Sequence, residues 1–175
     1  MVKRQRRSHT HVIKMEAKDQ TMNVIFLDID GVLNSWQYDY RYRTACDGNI
    51  DETRLELLRY LAEKTQAKIV LSSSWRKHWN KDKNLCDLIG IDMDVLFSKH
   101  KLIIFDKTPE LPNNDRPEEI RMWLKQNKET TRFVILDDIR FGWGNLQENL
   151  VNTNYRIGRG LEDKHISEAI RILIE

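Results

Sequence analysis

Asn23-Val24-Ile25-Phe26-Leu27-Asp28-Ile29-Asp30-Gly31-Val32-Leu33 is the stretch from which the fold can be read. Four consecutive apolar residues lead into two carboxylates two positions apart, and a glycine follows at once. An apolar run without polar alternation reads as a strand buried on both faces, as in a parallel sheet. Side chains at i and i+2 share a face, so Asp28 and Asp30 are expected to converge where the strand ends. Carboxylates that close repel unless a cation or a shared proton relieves them. Such a pair builds a poor core and a good metal-dependent catalytic site.

The pattern recurs twice. Lys68-Ile69-Val70-Leu71 runs into Ser72-Ser73-Ser74-Trp75-Arg76, and Arg132-Phe133-Val134-Ile135-Leu136 runs into Asp137-Asp138. Three apolar runs thus each end in oxygen-bearing side chains. In open α/β sheets, ligands bind outside the carboxyl ends of the strands, where strand order reverses. Side by side, these three strand ends would bring four carboxylates and three hydroxyls into one crevice.

Helical patterns separate the runs. Asp51 suits an N-cap, with Leu55, Leu58, Leu61 and Ala62 as the buried stripe behind it. Leu85, Leu88 and Ile89 share a helical face, and Gly90 reads as the stop of that helix. A third strand is expected around Val95-Leu96-Phe97 or around Leu102-Ile103-Ile104-Phe105. Asp115 and Glu118 have capping-box spacing and Pro117 suits a first turn, so a helix is predicted from Arg116, with Ile120, Trp123 and Leu124 facing the core. A short fifth strand near Leu150-Val151 and a final helix traced by Ile166, Ala169, Ile170, Leu173 and Ile174 complete the series. Strands alternating with helices predict an α/β, doubly wound, mainly parallel five-stranded sheet.

Size and composition suit one domain. The chain has 175 residues, 40% hydrophobic and 32% charged, and no apolar stretch approaches the roughly 20 residues that span a bilayer. The basic start is not followed by an apolar segment, which argues against a secretory signal. Cys46 and Cys86 lack metal-finger spacing and read as reduced thiols in a cytoplasmic protein. Residues 1–22 hold six basic side chains (Lys3, Arg4, Arg6, Arg7, Lys14, Lys18) against Glu16 and Asp19, a balance of +4 within a formal net charge of +2, so residues 23–175 carry −2. Residues 1–21 are expected to be a flexible basic extension of a domain over 22–175. The simpler reading of that extension is a solvated leader, and the sharper one is an arm for nucleic acid or another polyanion.

Asp28-Ile29-Asp30-Gly31-Val32-Leu33, a hydroxyl after the second strand, a basic residue opening a helix and Asp137-Asp138 after a later strand resemble the haloacid dehalogenase (HAD) superfamily of phosphohydrolases. The resemblance runs from about Met22 to the C-terminus. Asp30-Gly31-Val32-Leu33-Asn34, Ser73-Ser74-Trp75-Arg76, Arg116 with Glu119-Ile120 and Trp123-Leu124, and Gly160-Leu161 are similar to the small, capless HAD domains of Swiss-army-knife RNA-repair proteins. The resemblance implies a Rossmann-like HAD fold without a large cap domain, and the short spacings from Asp30 to Ser73 and from Ser73 to Arg116 leave little room for one.

The resemblance also implies roles. Asp28 becomes the nucleophile that forms an acyl-phosphate, and Asp30 the general acid and base. An anion approaching an anionic phosphoryl group needs a hard cation with oxygen ligands, for which Mg²⁺ is the natural choice. Its implied ligands are the Asp28 carboxylate, the Asp30 backbone carbonyl and the Asp137 carboxylate, with Asp138 ligating through water or standing behind. Gly31 is expected to turn the backbone sharply and leave amides free for phosphate oxygens. Ser73 matches the phosphate-binding hydroxyl, with Ser72 as the alternative. Arg116 matches the basic residue that balances nucleophile and phosphate, with Lys107 as a substitute. Arg76 either reaches phosphate or forms a structural salt bridge over Trp75.

An uncapped cleft admits a phosphate carried on a large molecule. Trp36, Tyr38, Tyr40, Arg41, Tyr42 and Arg43 alternate aromatic and basic character in a pattern suited to stacking on bases and neutralising phosphates, or equally to one packed face of a hairpin. The expected activity is a Mg²⁺-dependent phosphomonoester hydrolase acting on nucleic-acid ends or nucleotides. The alternatives are a small-molecule phosphatase and a non-catalytic phosphate- or nucleic-acid-binding module.

Overall fold

A computed structural model describes residues 21–34, 50–140, 142–153 and 159–175. The basic extension over 1–20 and the aromatic-basic segment over 35–49 lie outside these residues. Five strands form one parallel sheet: β1 (Met22–Leu27), β2 (Lys68–Leu71), β3 (Ile104–Lys107), β4 (Thr130–Asp137) and β5 (Leu150–Asn152), in the order β3-β2-β1-β4-β5. Among the described residues four α-helices accompany it: α1 (Glu52–Thr65), α2 (Leu88–Lys99), α3 (Arg116–Gln126) and α4 (Asp163–Ile174). The sheet grows from β1 through β2 to β3, then returns to the far side of β1 for β4. Strand order therefore reverses between β1 and β4, where a crevice opens at the carboxyl ends.

The central strands bury alternate residues in two different cores. Ile25, Leu27, Ile69, Leu71, Val134 and Leu136 join Leu55, Leu58 and Leu61 of α1, Met93 and Phe97 of α2, and Ile166, Ala169 and Leu173 of α4. Val24, Phe26, Val70 and Ile135 face the other way, onto Ile120 and Trp123 of α3 and onto Trp143 and Leu146. Phe26 meets Trp123 edge to face at 5.3 Å between ring centroids. Both faces of β1 are thus covered, which explains why its sequence shows no polar alternation.

Local signals place several helix starts where they were expected. The Asp51 side chain accepts from the Thr53 amide to open α1, and the Asp115 side chain accepts from the Glu118 amide to open α3, with Pro117 in its first turn. Such caps contribute roughly 1 kcal/mol each. The stretch over 85–97 differs from expectation. Gly90 does not end a helix; it lies in the first turn of α2, where the Asp87 side chain accepts from its amide at 3.1 Å. A Cβ there would overlap the His78 carbonyl, so this glycine serves close packing rather than termination. The left-handed residue after α2 is instead Lys101, with φ of 59°. Val95-Leu96-Phe97 falls inside α2, and the third strand uses Ile104 onward. Leu85, Leu88 and Ile89 are exposed rather than buried.

Candidate active site

The hydrogen-bond ladder of the sheet runs one residue past the strands. The Asp28 amide donates to the Leu136 carbonyl at 3.0 Å, the Ser72 amide to the Leu27 carbonyl at 3.0 Å, and the Thr153 amide to the Asp137 carbonyl at 3.0 Å. Leu27 pairs in register with Leu71 and with Leu136, so Asp28, Ser72 and Asp137 stand side by side as the next residues along. Because Leu27, Leu71 and Leu136 all face the α1 and α4 side, their successors fall on the α3 side. The N-terminal residue of α3 is Arg116, and its Nη1 donates to Asp28 Oδ2 and to Asp137 Oδ2, both at 2.5 Å.

Asp28 and Asp137 are buried, and Asp138 is partly so. One carboxylate oxygen from each lies within 4.8 Å of the others. Asp28 Oδ1 also accepts from the Ile29 amide at 2.9 Å, and Asp137 Oδ1 from the Ile139 amide at 2.8 Å. Burial, reinforced by the Asp28 charge, pushes Asp137 up to about 7 against the pull of Arg116. Burial and then the Asp28 charge push Asp138 up to about 6, with Asp30 adding a smaller contribution. Burial works to lower the Arg116 guanidinium, but the Asp28 and Asp137 charges outweigh it and hold the group protonated far above neutrality. Among the described residues, one guanidinium faces three neighbouring carboxylates and does not neutralise them. The donor set, all hard oxygen and short of positive charge, fits a divalent cation.

Ser72 is completely buried, and among the described residues its Oγ has no hydrogen-bond partner. A buried hydroxyl without a partner costs free energy unless a ligand satisfies it. Ser73, also buried, serves as N-cap of the 3₁₀ turn Ser74–Lys77, its Oγ accepting from the Trp75 amide at 3.3 Å. Of the two serines, Ser72 stands in register with Asp28 and has the uncommitted hydroxyl.

Other expected residues sit differently. Asp30 does not join the carboxylate cluster: β1 ends at Leu27, so strand periodicity no longer applies, and Asp30 lies exposed in the following turn. Its Oδ1 accepts from Asn34 Nδ2 at 2.8 Å and its Oδ2 from Trp75 Nε1 at 2.9 Å. The Gly31 amide is not free for phosphate; it donates to Asn34 Oδ1 at 2.7 Å. Gly31 is needed because its φ is 74° and a Cβ would overlap the Asp138 carboxylate. Arg76 does not reach the cleft. Its Nη1 donates to the Ser72 and Ser73 carbonyls and its Nη2 to Glu119 Oε1 at 2.6 Å, in a buried pair. The Lys107 ammonium donates to the Arg76 carbonyl at 2.9 Å, leaving the bridge between carboxylates to Arg116.

A family model described as the HAD domain in Swiss Army Knife RNA repair proteins matches residues 24–166. The chain belongs to this family. No curated protein and no solved structure matches it. In this HAD domain the five-stranded parallel sheet carries no large cap among the described residues. No helix among those residues is long and apolar enough to cross a membrane. The HAD resemblance had singled out Asn34, Trp75 and Glu119 as motif positions without a role; the roles come from contacts. Thr153, which has no motif signal, ties down the turn after β1, its Oγ1 donating to the Gly31 carbonyl at 2.7 Å. Only the four-residue spacing of Asp30 and Asn34 was a signal available beforehand.

Proposed function

We propose that this HAD domain is a Mg²⁺-dependent phosphomonoester hydrolase that works through an aspartyl-phosphate on Asp28, with nucleic-acid ends or nucleotides as substrates. The observation that carries this reading is the meeting of Asp28, Asp137 and Asp138 within 4.8 Å around a single bridging guanidinium. The Asp28 and Asp137 carboxylates and the Asp30 carbonyl, with Asp138 behind, would hold Mg²⁺, which would supply the positive charge that lets a carboxylate approach a phosphoryl group.

The residues divide the work. Asp28 attacks phosphorus, and the bond from phosphorus to the leaving oxygen breaks. Asp30, exposed at the mouth, gives that oxygen a proton. It then takes a proton from the water that displaces Asp28 from phosphorus. Arg116 orients Asp28 and offsets the negative charge that gathers as the phosphoryl group approaches. The Ser72 hydroxyl, buried and without a partner among the described residues, is supplied with one by a phosphate oxygen.

Three features support a nucleic-acid substrate. The family is described from RNA repair proteins. The sequence over 36–43 alternates aromatic and basic residues, and residues 1–22 carry a charge of +4. A phosphate-ester assay with and without Mg²⁺, using wild type and Asp28→Asn, tests the chemistry. Oligonucleotides phosphorylated at either end, compared with mononucleotides, test the substrate. Higher kcat/KM on oligonucleotides is expected; equal or better activity on mononucleotides contradicts the nucleic-acid assignment.

A further inference from the structure

Asp30 is exposed, yet each of its oxygens has its own donor. The two donors come from different parts of the fold. Asn34 closes the turn after β1, accepting from the Gly31 amide while its Nδ2 holds Asp30 Oδ1. Trp75 lies in the 3₁₀ turn after β2 and holds Asp30 Oδ2 through its indole N–H. Neither donor is loose. Asn34 is buried, and the Trp75 ring packs against the larger core while the adjacent Arg76 is anchored to Glu119. An exposed aspartate ordinarily samples several rotamers; one tied at both oxygens from two elements is confined to a single orientation. The two N–H groups occupy two of roughly four lone-pair directions on the carboxylate, leaving the rest for a proton.

We propose that Asn34 and Trp75 are positioning residues that clamp the Asp30 carboxyl in the orientation from which it protonates the leaving oxygen. The proposal rests on the phosphohydrolase reading above and adds two residues that act through Asp30 rather than on the phosphate. In the step concerned, the bond from phosphorus to Asp28 forms and the bond to the leaving oxygen breaks. The electron pair stays on that oxygen, which takes the Asp30 proton.

The clamp predicts a dependence on leaving group. An alkoxide needs the proton, whereas para-nitrophenolate departs nearly without it, and kcat/KM reports this first chemical step. Trp75→Phe keeps the aromatic packing and removes only the N–H. It is expected to lower kcat/KM for an alkyl phosphate by about 10- to 100-fold and that for para-nitrophenyl phosphate by less than about threefold, with KM nearly unchanged for both. Asn34→Ser, acting at the other oxygen, should give the same selective loss and decides the matter if Trp75→Phe does not fold, as judged by circular dichroism. Asp30→Asn sets the upper limit of the selectivity. Equal losses on both esters, or no loss on either, overturn the clamp while leaving the hydrolase reading intact. A wild-type protein inactive on both esters overturns that reading instead.

Discussion

The first turn of α3 contributes to two buried charge clusters that differ in balance. Glu119 meets Arg76 one to one in charge; Arg76 Nη1 also donates to two carbonyls, its buried Nε has no partner among the described residues, and Glu119 also accepts from the Leu111 amide at 2.9 Å. Three residues earlier, Arg116 faces Asp28 and Asp137 with Asp138 beside them, and two of these carboxyls are driven upward. The first cluster ties the Ser72-Ser73 loop to α3. Among the described residues, the second keeps a surplus of negative charge at the strand-order reversal. The balanced pair acts as a strut, whereas the unbalanced carboxylates form a group that could hold a metal ion.

The largest effect that could break this contrast is on turnover. Asp28→Asn is expected to lower phosphate-ester hydrolysis by about a thousandfold or more. The same change should leave the metal-free protein as stable as wild type or more so, because it removes charge from an uncompensated cluster. Steady-state kinetics and urea denaturation read the two halves. A large loss of stability would mean that the Asp28 cluster is a strut as well.

The Arg76 cluster should behave in the opposite way. Glu119→Leu leaves a buried guanidinium without its carboxylate and should cost about 3–5 kcal/mol in urea denaturation. Arg76→Met combined with Glu119→Leu should recover much of that loss, since replacing both members of a buried pair by hydrocarbon is far less costly than removing one.

A smaller effect is expected in the pH dependence of stability. Burial and the Asp28 charge push Asp137 up to about 7 and Asp138 up to about 6 in the metal-free fold, above the roughly 3.9 of an unfolded aspartate. Between about 5 and about 7 the folded chain therefore binds more protons than the unfolded one, and stability falls as pH rises through that window. Excess Mg²⁺ should flatten the fall by favouring the ionised carboxylates. Thermal midpoints across this range, with EDTA or with Mg²⁺, provide the measurement; a metal-free midpoint that rises with pH would contradict the imbalance.

The smallest effect separates two basic residues. Lys107→Met should leave turnover within about twofold of wild type, because its ammonium donates to the Arg76 carbonyl while Arg116 holds the carboxylates. A loss comparable to that of Arg116→Met, compared in the same ester assay, would reverse the assignment.

How far the residues announced this arrangement depended on the range of the contact. Asp51, Asp115 and the apolar runs of β1, β2 and β4 act through neighbours a few positions away, and their roles were readable. Asp28 and Asp137 were expected to meet because both end apolar strands, and they do. Asp30 was misplaced because strand periodicity was carried one turn beyond the actual end of β1. Gly90 resembled a helix stop, yet its purpose is contact with a carbonyl twelve residues earlier. The partner of Arg76 lies on another element, and nothing in the local sequence distinguished a strut from a phosphate ligand.

Borohydride trapping during turnover tests the central claim most directly, since it reduces an acyl-phosphate at the side chain that carries it. Peptide mass spectrometry after quenching the wild-type protein with phosphate ester and Mg²⁺ should find homoserine in place of Asp28, and none in metal-free samples. Hydrolysis that proceeds with Asp28 unmodified, or with the reduced residue elsewhere in the chain, would contradict the account.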